Sequence, residues 1–306
     1  MSQASLKTKF VYSFISGKDD YYLEQLIFSI LSLRRYNPTA YVEVLTDDET
    51  KRSLTEWRSI LYELIDCLNI VDIPRHLDKM KRSRYIKTKL RLLTKGDYLF
   101  LDTDTVICGK LSSIEDYTEH IMMVADCNDS LYLKDSQIIN RCEIIGFKDM
   151  AGRPYYNSGV MRVKDSEFCN SFYRAWHSNW LDSVSKGVSL DQPALNFTNH
   201  EFGNDVQELP GRWNCQVFFS GLNCLYESNI IHYAGGGNNE RMIEIYRTIR
   251  QAGIHSEVLR KYINHPRTLF YMYLTSNDTN MKNRIMILLN VKFHSIYKLI
   301  GYFNRH

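Results

Sequence analysis

Apolar and polar positions change period repeatedly along this chain, and each change marks an element. Phe10 to Ser16 is a mostly apolar run read as a first strand. A Gly/Asp turn separates it from Tyr21 to Tyr36, where Leu23, Leu26, Ile27, Ile30, Leu31 and Leu33 recur at helical spacing and Asn37-Pro38 ends the helix. Tyr41 to Thr46 alternates as a second strand, and Asp47-Asp48-Glu49 places negative charge where the next helix, Thr50 to Leu64, begins. A third strand is read at Asn69 to Ile73, a helix within the basic stretch Lys79 to Lys95, and further strands at Ile121 to Ala125 and Gly159 to Val163. Strands alternating with helices predict an α/β fold around a mostly parallel sheet, and ligands of such sheets bind beyond the carboxyl ends of the strands.

One apolar run carries unusual chemistry. Residues 98 to 107 read Tyr-Leu-Phe-Leu-Asp-Thr-Asp-Thr-Val-Ile, a strand buried on both faces that meets two carboxylates one residue apart. On an extended backbone Asp102 and Asp104 project to the same side, an arrangement suited to a hard divalent cation such as Mn²⁺ or Mg²⁺ with a substrate phosphate completing the shell. The spacing also fits an Asp-rich turn, and it fits a haloacid-dehalogenase-like phosphatase with Asp102 as nucleophile. At least two βα units precede the motif, whereas the phosphatase motif closes the first strand of its own fold. Asp126 and the pair Asn157-Ser158 also stand at strand ends.

Composition narrows the field. With 306 residues, 44% hydrophobic and 24% charged, the chain can bury a large core, and a net charge of +3 gives no reason to expect a nucleic-acid partner. Seven cysteines without a C-x-x-C pair read as buried thiols in a reducing, cytoplasmic setting rather than a zinc site. The N-terminal apolar run is too short for a signal peptide, and no stretch reaches membrane-spanning length.

The order of motifs resembles the family-8 glycosyltransferases over about residues 8 to 240. Six elements carry the resemblance: Asp20 with Tyr22, Tyr85-Ile86-Lys87-Thr88-Lys89, Leu101-Asp102-Thr103-Asp104-Thr105, Tyr156-Asn157-Ser158-Gly159-Val160, Asp191-Gln192-Pro193-Ala194-Leu195-Asn196 and His232-Tyr233-Ala234-Gly235. The resemblance implies a GT-A fold, a Rossmann-like mostly parallel central sheet flanked by helices, in residues 1–260; residues 261–306 are read separately as a basic amphipathic helical C-terminal extension. It implies a retaining hexosyltransferase that moves a glucose- or galactose-type hexose from a UDP-sugar to a saccharide or lipid-linked saccharide acceptor. Asp102, Asp104 and His232 would hold the metal. Tyr22 would stack on uracil, with Asp20, Ser16 and Thr46 as hydrogen-bonding groups, and Thr103, Lys87, Gly235 and Gly236 would belong to the donor site. Asp126, Asn157 and Ser158 would bind ribose or sugar hydroxyls. Asp191 and Gln192 would face the anomeric carbon as the catalytic pair, and the leaving phosphate oxygen would take the acceptor proton.

Two features lie outside this pattern. Where relatives carry a lysine after the glycine-rich loop, this chain has Asn238, Asn239 and Glu240, so either Lys87 or Arg241 supplies the missing positive charge or pyrophosphate binding is weaker. Most of the other basic side chains between Lys81 and Lys95 are read as a solvated helix face. Residues 126 to 157 are read as an acceptor-side lid. From Thr279 onward there is no Asp or Glu, and Leu289, Phe293, Ile296 and Ile300 fall on one face of a basic amphipathic helix, which fits either peripheral contact with an anionic membrane surface at the cytoplasmic side or an ordinary C-terminal helix docked on the domain.

Overall fold

The computed structural model of the chain describes residues 6–128, 135–148, 150, 152–233 and 240–275. Its first part alternates as the periodicity predicts: β1 (Lys9–Ser13), α1 (Tyr22–Tyr36), β2 (Val42–Thr46), the short α2 (Asp48–Arg52) and α3 (Leu61–Leu64), β3 (Cys67–Ile70), α4 (Lys79–Leu93) and β4 (Tyr98–Leu101). Then follow β5 (Thr105–Ile107), β6 (Ile121–Ala125), α5 (Ser136–Ile144), β7 (Tyr156–Val163), α6 (Glu167–Ser185) and α7 (Asp191–Glu201). The described chain closes with β8 (Gln207–Glu208), β9 (Cys215–Gln216), β10 (Ile230–His232), α8 (Glu240–Ala252), α9 (Glu257–Asn264) and a 3₁₀ segment, Pro266–Thr275.

The main sheet has the order β3-β2-β1-β4-β7-β6-β8, and a three-stranded sheet has the order β5-β10-β9. β3, β2, β1 and β4 are mutually parallel, β7 runs antiparallel to both β4 and β6, and β6 is parallel to β8. Insertion of β7 between β4 and β6 puts Asn157-Ser158-Gly159 beside the end of β4. One face of the sheet packs with α1, α8, α9 and the small sheet through Leu26, Ile27, Ile231, Tyr233, Ile245 and Leu259. The other buries Ile86, Phe172, Trp176, Trp180 and Leu195 of α4, α6 and α7. The sheet is thus flanked by helices on both faces, as a GT-A architecture requires.

Three expectations about elements need correction. The helix read over Thr50 to Leu64 is broken into α2, a 3₁₀ turn at Glu56–Ile60 and α3, with Glu56 at φ 53°. The buried Arg58 accounts for the break, because its Nε donates to the Ser53 carbonyl (3.0 Å) and its Nη2 to Ser16 Oγ (3.0 Å). The third strand begins two residues early, at Cys67, set by its register with Glu43 to Thr46. Residues 98 to 107 are not one extended run: Asp102 to Asp104 form a tight turn, after which β5 leaves for the small sheet.

Candidate active site

That turn is pinned from three directions. The Asp102 amide donates to the Gly159 carbonyl of β7 (2.8 Å), the Tyr233 amide donates to the Asp104 carbonyl (3.1 Å), and Thr105 Oγ1 donates to the Asp102 carbonyl (2.8 Å). Pairing of β10 with β5 sets His232 opposite Thr105. As a result one ligand atom each from Asp102, Asp104 and His232 lies within 4.8 Å of the others. Two carboxylate oxygens and an imidazole nitrogen form a donor set that suits Mn²⁺ or Mg²⁺.

The histidine is oriented by a chain of amides. Its Nδ1 faces Asn214 Oδ1 at 3.0 Å, Asn214 Nδ2 donates to Asn157 Oδ1 at 2.9 Å, and Asn157 Nδ2 donates to Asp126 Oδ1 at 3.0 Å. A proton on Nδ1 leaves Nε2 for a metal, and in this structure Nε2 sits 3.2 Å from Asp104 Oδ1. A side chain at 159 would abolish the arrangement, because a Cβ there would lie 2.2 Å from His232 Cε1. Burial alone would depress the His232 pKa, but the adjacent Asp104 and Asp102 carboxylates outweigh it and hold it above the ordinary value. The same ion pair holds Asp104 low against its burial. Asp102 is raised, by burial first and by the charge of Asp104, with Lys87 opposing.

Behind the turn, Lys87 of α4 cross-links two carboxylates. Its Nζ donates to Asp102 Oδ1 and Oδ2 at 3.0 and 2.9 Å and lies 3.4 Å from Asp191 Oδ2. Asp191, the first residue of α7, also accepts from Ser158 Oγ (2.8 Å) and pairs with Arg84 Nε (3.2 Å). Burial would raise its pKa, but Lys87, Arg84 and Ser158 together bring it down to about 2. Gln192 Oε1 lies 3.4 Å from the Ser158 amide.

Two cavities meet at the turn. The larger, about 550 Å³, is lined by Ser13 to Ile15, Tyr22, Gln25, Lys79, Met80 and Ser83, and the smaller, about 290 Å³, by Lys87, Ile138, Arg141, Asn157 to Gly159, Asp191, Gln192 and His232. Arg84, Asp102 and Asp104 line both.

The family-8 glycosyltransferase profile, described as "Glycosyl transferase family 8", matches residues 14–238. The chain belongs to this family. It is a hexosyltransferase by that membership, working with a nucleotide-sugar donor and a saccharide acceptor, and the phosphatase alternative for Asp102 has no support. No curated protein sequence matches the chain significantly. Among solved structures it is similar to the galactosyltransferase LgtC in complex with donor and acceptor sugar analogs (TM-score 0.54, 16% identity, 79% of this chain and 96% of that one). It is also similar to mouse xyloside xylosyltransferase 1 (0.52, 13%, 75% and 98%) and to the glycosyltransferase GlyE of Streptococcus pneumoniae TIGR4 (0.50, 16%, 87% and 62%). At these identities the likeness speaks for the fold.

The residues singled out in the sequence separate by their place in the fold. Asp102, Asp104, Lys87, Asn157, Ser158, Asp191, Gln192 and His232 line the smaller cavity, and Asp126 stands behind it through Asn157. Tyr22 and Thr103 line the larger cleft, and Tyr22 is 46% exposed. Asp20 and Ser16 lie at the first-strand loop, where the Asp20 carboxylate accepts from Ser16 Oγ (2.7 Å), the amides of Gly17 (2.8 Å) and Tyr22 (3.2 Å), and Lys79 Nζ (2.6 Å). Thr46 Oγ1 donates to the Phe14 carbonyl (2.6 Å). Gly235 and Gly236 lie outside the described residues, as do part of the expected lid and the basic tail from Thr279. Within the lid stretch α5 is anchored by an apolar cluster including Cys142, Ile145, Phe147 and Tyr155.

The solvated basic face is a misreading for much of α4. Arg91 is 3% exposed and donates to the Gly96 carbonyl (2.7 Å), Lys89 stacks over Tyr85 (4.8 Å), and Arg82 is held by Asp47 (3.1 Å) and Glu49. Sequence reasoning also missed Asn214 and Arg84. Asn214 carried no signal. Arg84 did, since it stands three residues before Lys87 and therefore on the same helix face. Finally, Arg250 of α8 ion-pairs with the buried Glu24 of α1, donates to the Asp20 carbonyl, and lies over the Tyr21 ring at 4.5 Å.

Proposed function

We propose that the chain is a metal-assisted, retaining hexosyltransferase that moves a glucose- or galactose-type sugar from a UDP-sugar to a saccharide or lipid-linked saccharide acceptor. The observation that carries this reading is the junction: an Asp-Asp-His ligand set lies where a wide cleft meets a small polar cavity. A nucleoside in the cleft and a hexose in the cavity would bring the diphosphate to that junction. Tyr22, exposed at the cleft, would stack on the base, with the Ser16–Asp20 loop and Thr103 beside it. Asn157, Ser158 and Asp126 would meet sugar hydroxyls.

A divalent ion held by Asp102, Asp104 and His232 would act as Lewis acid toward the diphosphate leaving group. The chain's own residues supply the rest. Asp191, kept ionised by Lys87 and Arg84, presents fixed negative charge where positive charge develops at the anomeric carbon. Gln192 and Ser158 fix the sugar's orientation beside it. As the family resemblance implies, the leaving phosphate oxygen would take the acceptor proton on the same face.

The test is turnover of UDP-glucose and UDP-galactose with and without chelator, with the anomeric configuration of the released or transferred sugar read by NMR. Chelator-insensitive turnover removes the metal from the reading. An inverted product removes the retaining mechanism and leaves the family membership untouched.

A further inference from the structure

Four cations line the two cavities: Lys79, Arg84, Lys87 and Arg141. Lys79 is paired with Asp20 at 2.6 Å, and Lys87 is enclosed by Asp102 and Asp191 with only 3% of its surface exposed. Lys87 is therefore consumed by carboxylates and is poorly placed to neutralise a substrate. Arg141, on α5, lines only the smaller cavity. Arg84 alone among these cations lines both. It meets Asp191 through Nε at 3.2 Å, and among the described residues no hydrogen bond ties up its Nη1 or Nη2. Its side chain is 31% exposed, so the free end of the guanidinium fork is open to the junction.

We propose that Arg84 is the donor-binding cation of this site, ion-paired with Asp191 and offering its Nη groups to the diphosphate where the two cavities meet. This inference rests on the nucleotide-sugar reading of the site. An arginine fork matches two phosphate oxygens at once, which an ammonium cannot do. The assignment explains how the chain manages with Asn238, Asn239 and Glu240 after the glycine-rich loop. It also makes Asp191 serve twice, facing the sugar and aiming the arginine.

The experiment is calorimetric titration of the full chain, in Mn²⁺, with uridine, UMP and UDP, for the unaltered protein and for Arg84→Ala and Arg84→Lys. Arg84→Ala is expected to weaken UDP about tenfold to a hundredfold and leave uridine unchanged. Arg84→Lys, which keeps the charge and loses the fork, should recover part of the UDP affinity and guards against a folding defect in the alanine variant. Equal weakening of uridine and UDP, or no weakening of UDP, overturns the assignment while the donor reading stands. Failure of the unaltered chain to bind UDP overturns both, a result visible before any variant is made.

Discussion

The larger cleft, about 550 Å³, and the smaller cavity, about 290 Å³, share a border but are built differently. On the cleft side the polar groups of the first loop satisfy each other: Asp20 gathers Ser16, Gly17, Tyr22 and Lys79, leaving Phe14, Ile15, Tyr22 and Met80 as much of the wall. On the cavity side the polar groups are cross-linked across elements, from Asp126 through Asn157 and Asn214 to His232, and from Asp102 through Lys87 to Asp191. A wall of that first kind selects by shape and stacking. A network of the second kind holds donors and acceptors at fixed positions, so under the proposed function discrimination among sugar hydroxyls would belong to the smaller cavity.

This contrast can be broken at graded cost. Asp104→Asn or His232→Ala removes a ligand from the border and should lower transfer on the order of a thousandfold, with the far-ultraviolet circular dichroism unchanged; near-normal turnover would dissolve the border itself. Lys87→Met takes the cation from the half-buried Asp102 and leaves the buried Asp191 to Arg84 and Ser158, and should cost about 3 kcal/mol in urea unfolding. A stability loss of a few tenths would mean the cavity is not cross-linked.

The third prediction follows from Asp191. Its pKa falls from 3.8 to about 2 on folding, so its stabilising contribution is complete above the unfolded value and disappears as pH drops from 4 toward 2. That contribution is roughly 2 kcal/mol, and the pH dependence of unfolding in this window should flatten in Asp191→Asn. The smallest effect belongs to the cleft. Tyr22→Ala should raise the donor KM about tenfold by losing a base stack, leaving kcat nearly unchanged. A kcat effect from Tyr22 would show that the two sides are coupled.

The parallel half of the molecule was legible because its chemistry is repetitive. Helical spacing gave α1 to within one residue, and β6 coincided with Ile121 to Ala125. The helix over Thr50 to Leu64 failed because a long-range demand, Arg58 reaching Ser16, overrode local periodicity. The small sheet was not anticipated, since strands of two or three residues carry no period. At the site, motif order singled out Asp102, Asp104 and His232, which the fold brings within 4.8 Å of one another. Beyond Lys87, the direction of the α4 basic face was not read, because charge was taken as a sign of solvent, whereas Arg84 and Arg91 turn inward to an acid and to carbonyls.

The family correspondence ends at residue 238, but Arg250 closes on Glu24, 0% exposed, and on the Asp20 carbonyl from twelve residues further on. A chain trimmed to its recognisable ancestry would take from this buried acid its ion-pair partner and from the loop that borders the cleft one of its anchors. Shared descent and structural support are different lengths here, for the cation that reaches back to Glu24 and the first loop stands outside the matched residues.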